Sequence, residues 1–506
     1  MTLRIPAIVL LATTALHAGS SPLATAPTEF ARAQSASAIH WQPWTDEVLE
    51  LARKQDKSVY VFIGSPLSEL TRATINQTFT SEKTVAWINE NFYCIFVDAD
   101  AQPGLAAYGQ HFISTVKQLR GSPVHLWLTP DTLQPYDGAN YLPPSEEWGK
   151  PGFLKAARSA LDTWTVEPAR ARALADEALG MMKSLSLDSS ATIDLKARLD
   201  LAAEAWIAAI DPKHGGFGSA PKLPEPELIR FLLGRDKAAQ AAAINAARAL
   251  VAGAAHDPVD GGFYRRCIDE EWKEPYFQKT LADQARIALA LFDAADAAKD
   301  DKLRAAAIGA LDFVLKELRN PDGTFAAALD GTLEENADPA KRPAFVKVGR
   351  ARLMAQALMI VALQRSGEKR LMAEAASMAE RLHQDYFRPI GTQRIVNGDT
   401  AADNAAMALL MRTRGAKLPA DAILEETGKL YFDMPTGSYM ALPAQLPPGI
   451  VVRVPASGDT PSAEVLALLA GVDEKTASLI RRNLLSQIEY DELPPGDVLL
   501  GLSQMK

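Results

Sequence analysis

A turn of fixed composition returns between long apolar helices through the last two thirds of the chain, and no other feature constrains the fold as much. It reads Asp211-Pro212 to Gly215-Gly216-Phe217, then Asp257-Pro258 to Gly261-Gly262-Phe263, then Asn320-Pro321-Asp322-Gly323-Thr324-Phe325. A worn copy stands at Phe432-Asp433 to Gly437-Ser438-Tyr439. The copies lie roughly 45 to 65 residues apart or at a multiple of that, which suits stacked helical hairpins better than a small bundle. Glycine lets the chain reverse sharply, and the aromatic residue that follows can plug the domain core. Between the turns run Ala-rich helical stretches at 174–185, 191–209, 238–255, 281–298, 304–318, 351–364 and 372–384. This part reads as essentially all-α, and a ring of such hairpins is an α/α toroid with a pocket at one end.

Before it the pattern is different. A helical stretch at 45–54 precedes an apolar strand at 58–63, a helical region at 71–89, a second strand at 92–98 and a third at 124–128. That order implies a sheet covered by helices, so the chain as a whole is expected to be multidomain, α/β followed by all-α. The most informative junction is the strand that runs into Gly64 and Ser65-Pro66 and then into a helix carrying Ser68-Glu69-Leu70-Thr71. The 506 residues hold only two cysteines, Cys94 and Cys267. Cys94 lies in an apolar run and is expected to be a buried small hydrophobe, so there is no disulfide framework.

Taken in order, His40-Trp41-Gln42-Pro43-Trp44, Asp56-Lys57-Ser58-Val59, Ile63-Gly64, Asn89-Glu90-Asn91-Phe92, Val97-Asp98, Leu128-Thr129-Pro130-Asp131 and Tyr141-Leu142-Pro143-Pro144 resemble the YyaL-like, spermatogenesis-associated thioredoxin-domain family. The resemblance covers nearly all of the chain from Ile39, densely in the first part and patchily beyond Gly331. It implies a thioredoxin-like domain followed by a six-hairpin toroid, here trimmed. The family resembles thioredoxin in carrying Cys-His-Trp-Cys after the strand, where a helix N-terminus stabilises a thiolate. A gapless alignment puts those cysteines on Ser68 and Thr71. Two hydroxyls form no disulfide, so dithiol chemistry is excluded there. Pro123 stands where thioredoxin-like folds place a cis-proline beside the active site; the plainer alternative is that it starts an edge strand. A peptide could lie across such a platform without any cysteine.

The candidate toroid pocket is Tyr264, Arg265, Asp269, Glu270, Trp272, Tyr276, Gln278, Lys279 and Asp283, with Asp330 further along. Carboxylates, aromatics and bases on loops at one end of a ring suit sugar binding, and an ordinary solvated loop is the competing reading. Here the family resembles Gly-Gly-Phe-His-Arg and Pro-His-Phe-Glu-Lys, whereas this chain has Tyr264, Tyr276 and Gln278 in place of two histidines and a glutamate. The side chains best able to move protons near neutral pH are gone. The family's Trp-Asn-Gly aligns with Ala355-Gln356-Ala357, its acidic loop has shrunk to Glu334-Glu335-Asn336, and Pro461-Ser462 still precedes a helical run.

Domain limits follow: an export signal at 1–18, its end lying between 18 and 33; a flexible leader at 19–38; a thioredoxin-like domain at 39–165; and the toroid at 166–506. Arg4 before a short apolar run with small residues after it is the export signal, an uncleaved anchor being the alternative, so the protein is expected in the periplasm or outside the cell. No membrane span is expected in the mature chain. A net charge of −9 with no basic run argues against nucleic acid. Seven scattered histidines without ligand spacing suggest no metal, and no cofactor motif is present. Asp98 and Asp100 read as a solvated strand end. The expected function is binding or scaffolding, with a peptide, partner protein or glycan as ligand. The alternative is a carbohydrate-active enzyme using Asp269, Glu270, Asp283 or Asp330.

Overall fold

The computed structural model describes residues 21–505 apart from 56, 184–193, 333–342, 391–392, 397–399, 414, 416, 437, 456–473 and 489–492. The expected export signal, Glu334-Glu335-Asn336 and Pro461-Ser462 lie outside the described residues.

Strand β1 (Val59–Gly64) is the centre of a four-stranded sheet of order β2-β1-β3-β4. It pairs in parallel with β2 (Tyr93–Asp98) and antiparallel with β3 (Val124–Leu128), which in turn pairs with β4 (Pro135–Ala139). Every residue of β1 is buried, which is why it reads as an unbroken apolar run. Alternation splits the strands between two cores. Val59, Val61, Ile63, Ile95, Val97 and Leu126 form an aliphatic face, while Tyr60, Phe62, Phe96 and Trp127 join Trp41, Phe79 and Phe153 in an aromatic one.

The helices of this part are α1 (Glu29–Ala33), α2 (Asp46–Gln55), α3 (Glu69–Ala73), α4 (Glu82–Asn91), α5 (Pro103–Val116), α6 (Phe153–Val166) and α7 (Pro168–Lys183). Two expectations change. Residues 21–38 are not a flexible leader: α1 and two short helical turns dock on the aromatic face, with Leu23 and Ala31 buried and Phe30 edge-on to Phe96 at 5.4 Å. Thr28 caps α1 and donates to Asp98. A few apolar side chains suffice to order a segment whose composition reads as a linker. Nor does the first part stop at 165. Helix α7 buries Ala171, Ala175, Ala178 and Met182 against the same cores and packs on β4 and α5, so Pro168 merely separates two helices covering one sheet.

The rest of the chain is the α/α toroid. Its helices are α8 (Leu195–Ala208), α9 (Pro226–Leu233), α10 (Lys237–Ala252), α11 (Leu281–Ala298), α12 (Asp301–Phe313), α13 (Leu353–Arg365), α14 (Lys369–Tyr386), α15 (Ala401–Thr413) and α16 (Lys417–Tyr431). Helices α9, α11, α13 and α15 touch in succession, and the helix Gly496–Gln504 packs on α9. Each of these four also pairs with the helix after it, α10, α12, α14 or α16. Inner helices enclosed on all sides are apolar all round, as the burial of α11 and α13 shows. This half is not purely helical: β5 (Gln278–Thr280), β6 (Ala326–Asp330) and β7 (Val346–Arg350) form an antiparallel sheet, and short hairpins follow α14 and α16.

The recurring turn earns its residues structurally. Gly215, Gly216, Gly261 and Gly262 have φ between 71° and 78°, the left-handed region open to glycine, and Phe217, Phe263 and Phe325 plug the toroid core. Asp211 accepts from the backbone of Lys213 and His214 with one oxygen and from Lys222 Nζ at 2.6 Å with the other. Asp257 repeats this, accepting from Val259 N, Lys279 Nζ at 2.5 Å and the Tyr264 hydroxyl at 3.1 Å.

The two parts share a core. Residues Ala441, Leu442, Ile450, Val452 and Val454 return to the aliphatic face of the N-terminal sheet. The indole of Trp44 donates to Pro448 O at 3.1 Å, and Gln134 Nε2 to Gly449 O at 3.0 Å.

Candidate functional site

Ser68 and Thr71 occupy the N-cap and the third position of α3, the places where a redox pair would sit at a helix N-terminus. Both hydroxyls are in structural use. Ser68 Oγ accepts from Thr71 N at 3.2 Å, and Thr71, fully buried, lies with its Oγ1 3.2 Å from Ser122 Oγ. The Ser122-Pro123 bond is cis; Pro123 is buried and precedes β3, which lies between β1 and β4 and is not an edge strand.

The loop before α3 and α3 itself face the toroid. Gln278 Nε2 donates to Leu67 O at 3.2 Å, and Tyr276 donates to Glu69 Oε2 at 3.0 Å. Arg72, next after Thr71, donates to Pro66 O and Thr332 Oγ1, each at 2.7 Å, and lies 3.2 Å from Asp330 Oδ2. Asp330 also accepts from Gln278 Nε2 at 2.6 Å and from Thr332 N at 2.8 Å, and its side chain is fully buried. Helix α3 is thus clamped to β5 and the end of β6.

Beside that clamp a cavity of about 300 Å³ opens between the two parts. Leu67 and Asp100 line it from the thioredoxin-like side. Arg265, Asp283 and Arg286 come from the turn before β5 and the start of α11, Arg350, Arg352 and Ala355 from β7 and the start of α13, and Asp497 from the first turn of the helix Gly496–Gln504. Three helix N-termini converge here, ends at which backbone N–H groups favour negative charge. Asp283 Oδ2 is buried without a hydrogen-bond partner. Arg265 donates to Gln278 Oε1 at 3.0 Å. Arg286 lies 3.3 Å from Glu227, Arg350 3.1 Å from Asp385 and Arg352 3.3 Å from Asp403, three carboxylates outside the lining.

Of the candidate toroid-pocket residues named from the sequence, Arg265 and Asp283 line this cavity. Tyr264, Trp272 and Lys279 are core residues: Lys279 lies under the rings of Tyr264 and Phe313, and Trp272 packs against Gly216 and Gly253, donating to Gly215 O at 3.3 Å. Asp269 closes its own turn by accepting from the backbone N–H groups of Glu271, Lys273 and Glu274. Burial raises the Asp269 carboxyl, but those hydrogen bonds outweigh it and hold it below the usual range. Glu270 is exposed outside the cavity, and Tyr276, Gln278 and Asp330 form the clamp. Consecutive residues on one loop point in different directions, so nearness in sequence overstated the site.

Asp100, Arg286, Arg350, Arg352 and Asp497 were not among the sequence candidates. Asp98 and Asp100 are not a solvated strand end: Asp98 is buried, and burial pushes the Asp100 carboxyl up to about 6, the Asp98 charge adding to it and the Ser65 hydroxyl working against it. The signal available was positional, since Asp100 follows the C-terminal end of β2, which runs parallel to β1, and open α/β sheets carry ligands at the carboxyl ends of their parallel strands. Ala355 stands where the resemblance places a tryptophan, and its small side chain leaves this wall open.

Both cysteines are free and buried; burial pushes the Cys267 thiol up to about 12 and raises that of Cys94 further. Among the described residues no helix is long and apolar enough to cross a membrane.

Residues 20–185 match the family Thioredox_DsbH, described as a protein of unknown function, DUF255. Spermatogenesis-associated protein 20 of Mus musculus is 27% identical over 308 residues, covering 58% of this chain and 38% of that protein. The uncharacterized protein B0495.5 of Caenorhabditis elegans is 26% identical over 303 residues, covering 58% and 41%. The chain therefore spans about two fifths of the length of the curated relatives it matches. Among solved structures it is similar to a sugar epimerase from a ruminal bacterium, at 14% identity, TM-score 0.43 and coverage of 59% and 86%. It is similar also to the cellobiose 2-epimerase of Spirochaeta thermophila, at 16% identity, TM-score 0.44 and coverage of 63% and 98%. Residues 20–185 thus carry a thioredoxin-like family match, and the chain is similar over 308 residues to spermatogenesis-associated protein 20, with Ser68 and Thr71 at the start of α3 where the resemblance places a cysteine pair.

Proposed function

We propose that this protein is a redox-inactive binding protein working outside the cytoplasm, and that its ligand site is the cavity where the toroid meets the degenerate redox loop. One observation carries the reading: the cavity is walled from both parts, by Leu67 and Asp100 on one side and by three inner-helix starts of the toroid on the other. Ser68 and Thr71 supply no thiol, so the thioredoxin-like part contributes shape rather than electrons. A peptide laid across the Pro123 platform is less well supported, because Thr71 and Pro123 are buried and α3 is clamped to the toroid.

The alternative, a carbohydrate-active enzyme, has less in its favour. Of its four candidates Asp269, Glu270 and Asp330 lie outside the lining; Asp100 and Asp497 join Asp283 there, but no described lining residue offers an aromatic face for a sugar. Export remains part of the proposal, motivated by Arg4 and the short apolar run after it.

The test is retention of small molecules. The purified chain is equilibrated with a small-molecule extract, washed by dialysis, denatured, and the released compounds are identified by mass spectrometry. A ligand retained by the wild type and lost from Ala282→Trp, which fills the cavity from the start of α11, is the expected result. Equal retention by both proteins, or none by either, rules the reading out.

A further inference from the structure

The charges of the cavity are of two kinds, those already neutralised and those that are not. Arg286, Arg350 and Arg352 each have a carboxylate behind them, in Glu227, Asp385 and Asp403. The guanidinium of Arg265 meets only the neutral amide of Gln278, and Asp283 presents a buried oxygen that no donor reaches. The buried Asp283 oxygen without a donor is costly, and a ligand cation relieves that cost; Arg265 is exposed and free to turn its charge toward a ligand anion. A simple anion would satisfy Arg265 and meet Asp100, Asp283 and Asp497 unfavourably. A simple cation would satisfy Asp283 and meet four guanidiniums. Only a ligand with both signs answers both walls.

The other lining residues narrow the class. Ala282, Ala327, Ala351, Ala355, Leu67 and Met354 give small aliphatic contacts, and among the described residues no aromatic ring lines the cavity. A sugar ring or a nucleobase would find no face to stack on. About 300 Å³ is at the lower end for small-molecule sites.

We infer that the cavity takes a small zwitterion, a free amino acid or a dipeptide, with its ammonium on Asp283 and its carboxylate on Arg265. The inference rests on the cavity being a ligand site and adds the ligand's chemistry.

Isothermal titration of the whole chain with the twenty free amino acids and L-alanyl-L-alanine tests it, glucose and cellobiose serving as sugar probes. At least one zwitterion binds, and its N-acetylated and its amidated forms, each lacking one charge, bind at least tenfold more weakly. Asp283→Asn and Arg265→Gln each weaken it at least tenfold while the melting temperature changes by no more than about 3 °C, because Asp283 Oδ2 has no donor and the Arg265 side chain makes one hydrogen bond, to Gln278. Binding of glucose or cellobiose with no zwitterion bound overturns the inference and leaves the ligand site standing, as does dialysis retention of a compound that is not a zwitterion. Retention of nothing, with no probe bound, overturns both.

Discussion

Lys279→Met is expected to destabilise the protein by about 3–5 kcal/mol, the cost of leaving one member of a buried ion pair alone. Lys279 and Asp257 have side chains 1% exposed, and the ammonium is 2.5 Å from one carboxylate oxygen and 2.7 Å from Gly261 O. Methionine keeps most of the length and all of the apolar contact with the rings of Tyr264 and Phe313. What remains is the Asp257 charge, held by the Tyr264 hydroxyl and the Val259 N–H in a site without water access. The double variant Lys279→Met/Asp257→Asn should lose less than Lys279→Met alone, since it buries no uncompensated charge. Urea unfolding followed by tryptophan fluorescence measures both; a loss under about 1 kcal/mol for Lys279→Met would show that Asp257 reaches solvent.

Acid is expected to remove about 3 kcal/mol of stability between pH 7 and pH 4 through one side chain, His125. The ring is fully buried in the aromatic face beside the rings of Tyr60 and Trp127, with Nδ1 2.7 Å from the Tyr60 hydroxyl and Nε2 without a partner. Burial holds its pKa down at about 3, against 6.5 in an unfolded chain. A depressed folded value means that the unfolded state binds the proton first, so stability falls as pH drops from 6.5 toward 3, by about 1.4 kcal/mol per unit. Two carboxyls act in the opposite sense. Asp100 is raised to about 6, and Glu225 to about 7 by burial and then by Glu227 and Asp497, so each adds stability as pH falls through its folded value. The comparison that isolates the imidazole is wild type against His125→Asn, which does not titrate. The stability of wild type relative to the variant should fall by about 3 kcal/mol from pH 7 to pH 4; an unchanged difference contradicts the burial of His125.

The fold was legible where one periodicity ran unbroken. The strand at 124–128 and the helix at 281–298 have the limits the sequence suggested, and the Asp-Pro to Gly-Gly-Phe turns fall between helices as their glycines require. Strand β4, Pro135–Ala139, was missed because Pro135, Asp137 and Gly138 mask its alternation. Helix α5 was missed in part because Pro103-Gly104 reads as a turn, whereas Pro103 is the first residue of the helix. The site was harder. Its walls come from residues 67 and 100, from 265 to 286, from 327 to 355 and from 497, and no local pattern joins stretches so far apart. Arg265 and Asp283 were found because they lie in the stretch from Gly261 to Asp283 that opens on a recurring turn. Lys279 was assigned to the pocket because charge usually means exposure, and its pairing with Asp257, 22 residues earlier, is a tertiary fact.

The central claim is that a thioredoxin platform has kept its geometry and lost its chemistry, and thiol titration of Ser68→Cys/Thr71→Cys beside the wild type tests it most directly. The two positions are one helical turn apart at the start of α3, with the first partly exposed and the second buried. After mild oxidation the double variant should lose two titratable thiols and regain them on reduction, while the wild type shows no such change and does not reduce insulin disulfides. Two thiols that never pair would contradict the assignment of Ser68 and Thr71 to the redox positions, and insulin reduction by the wild type at the rate of an ordinary thioredoxin would contradict the loss of chemistry.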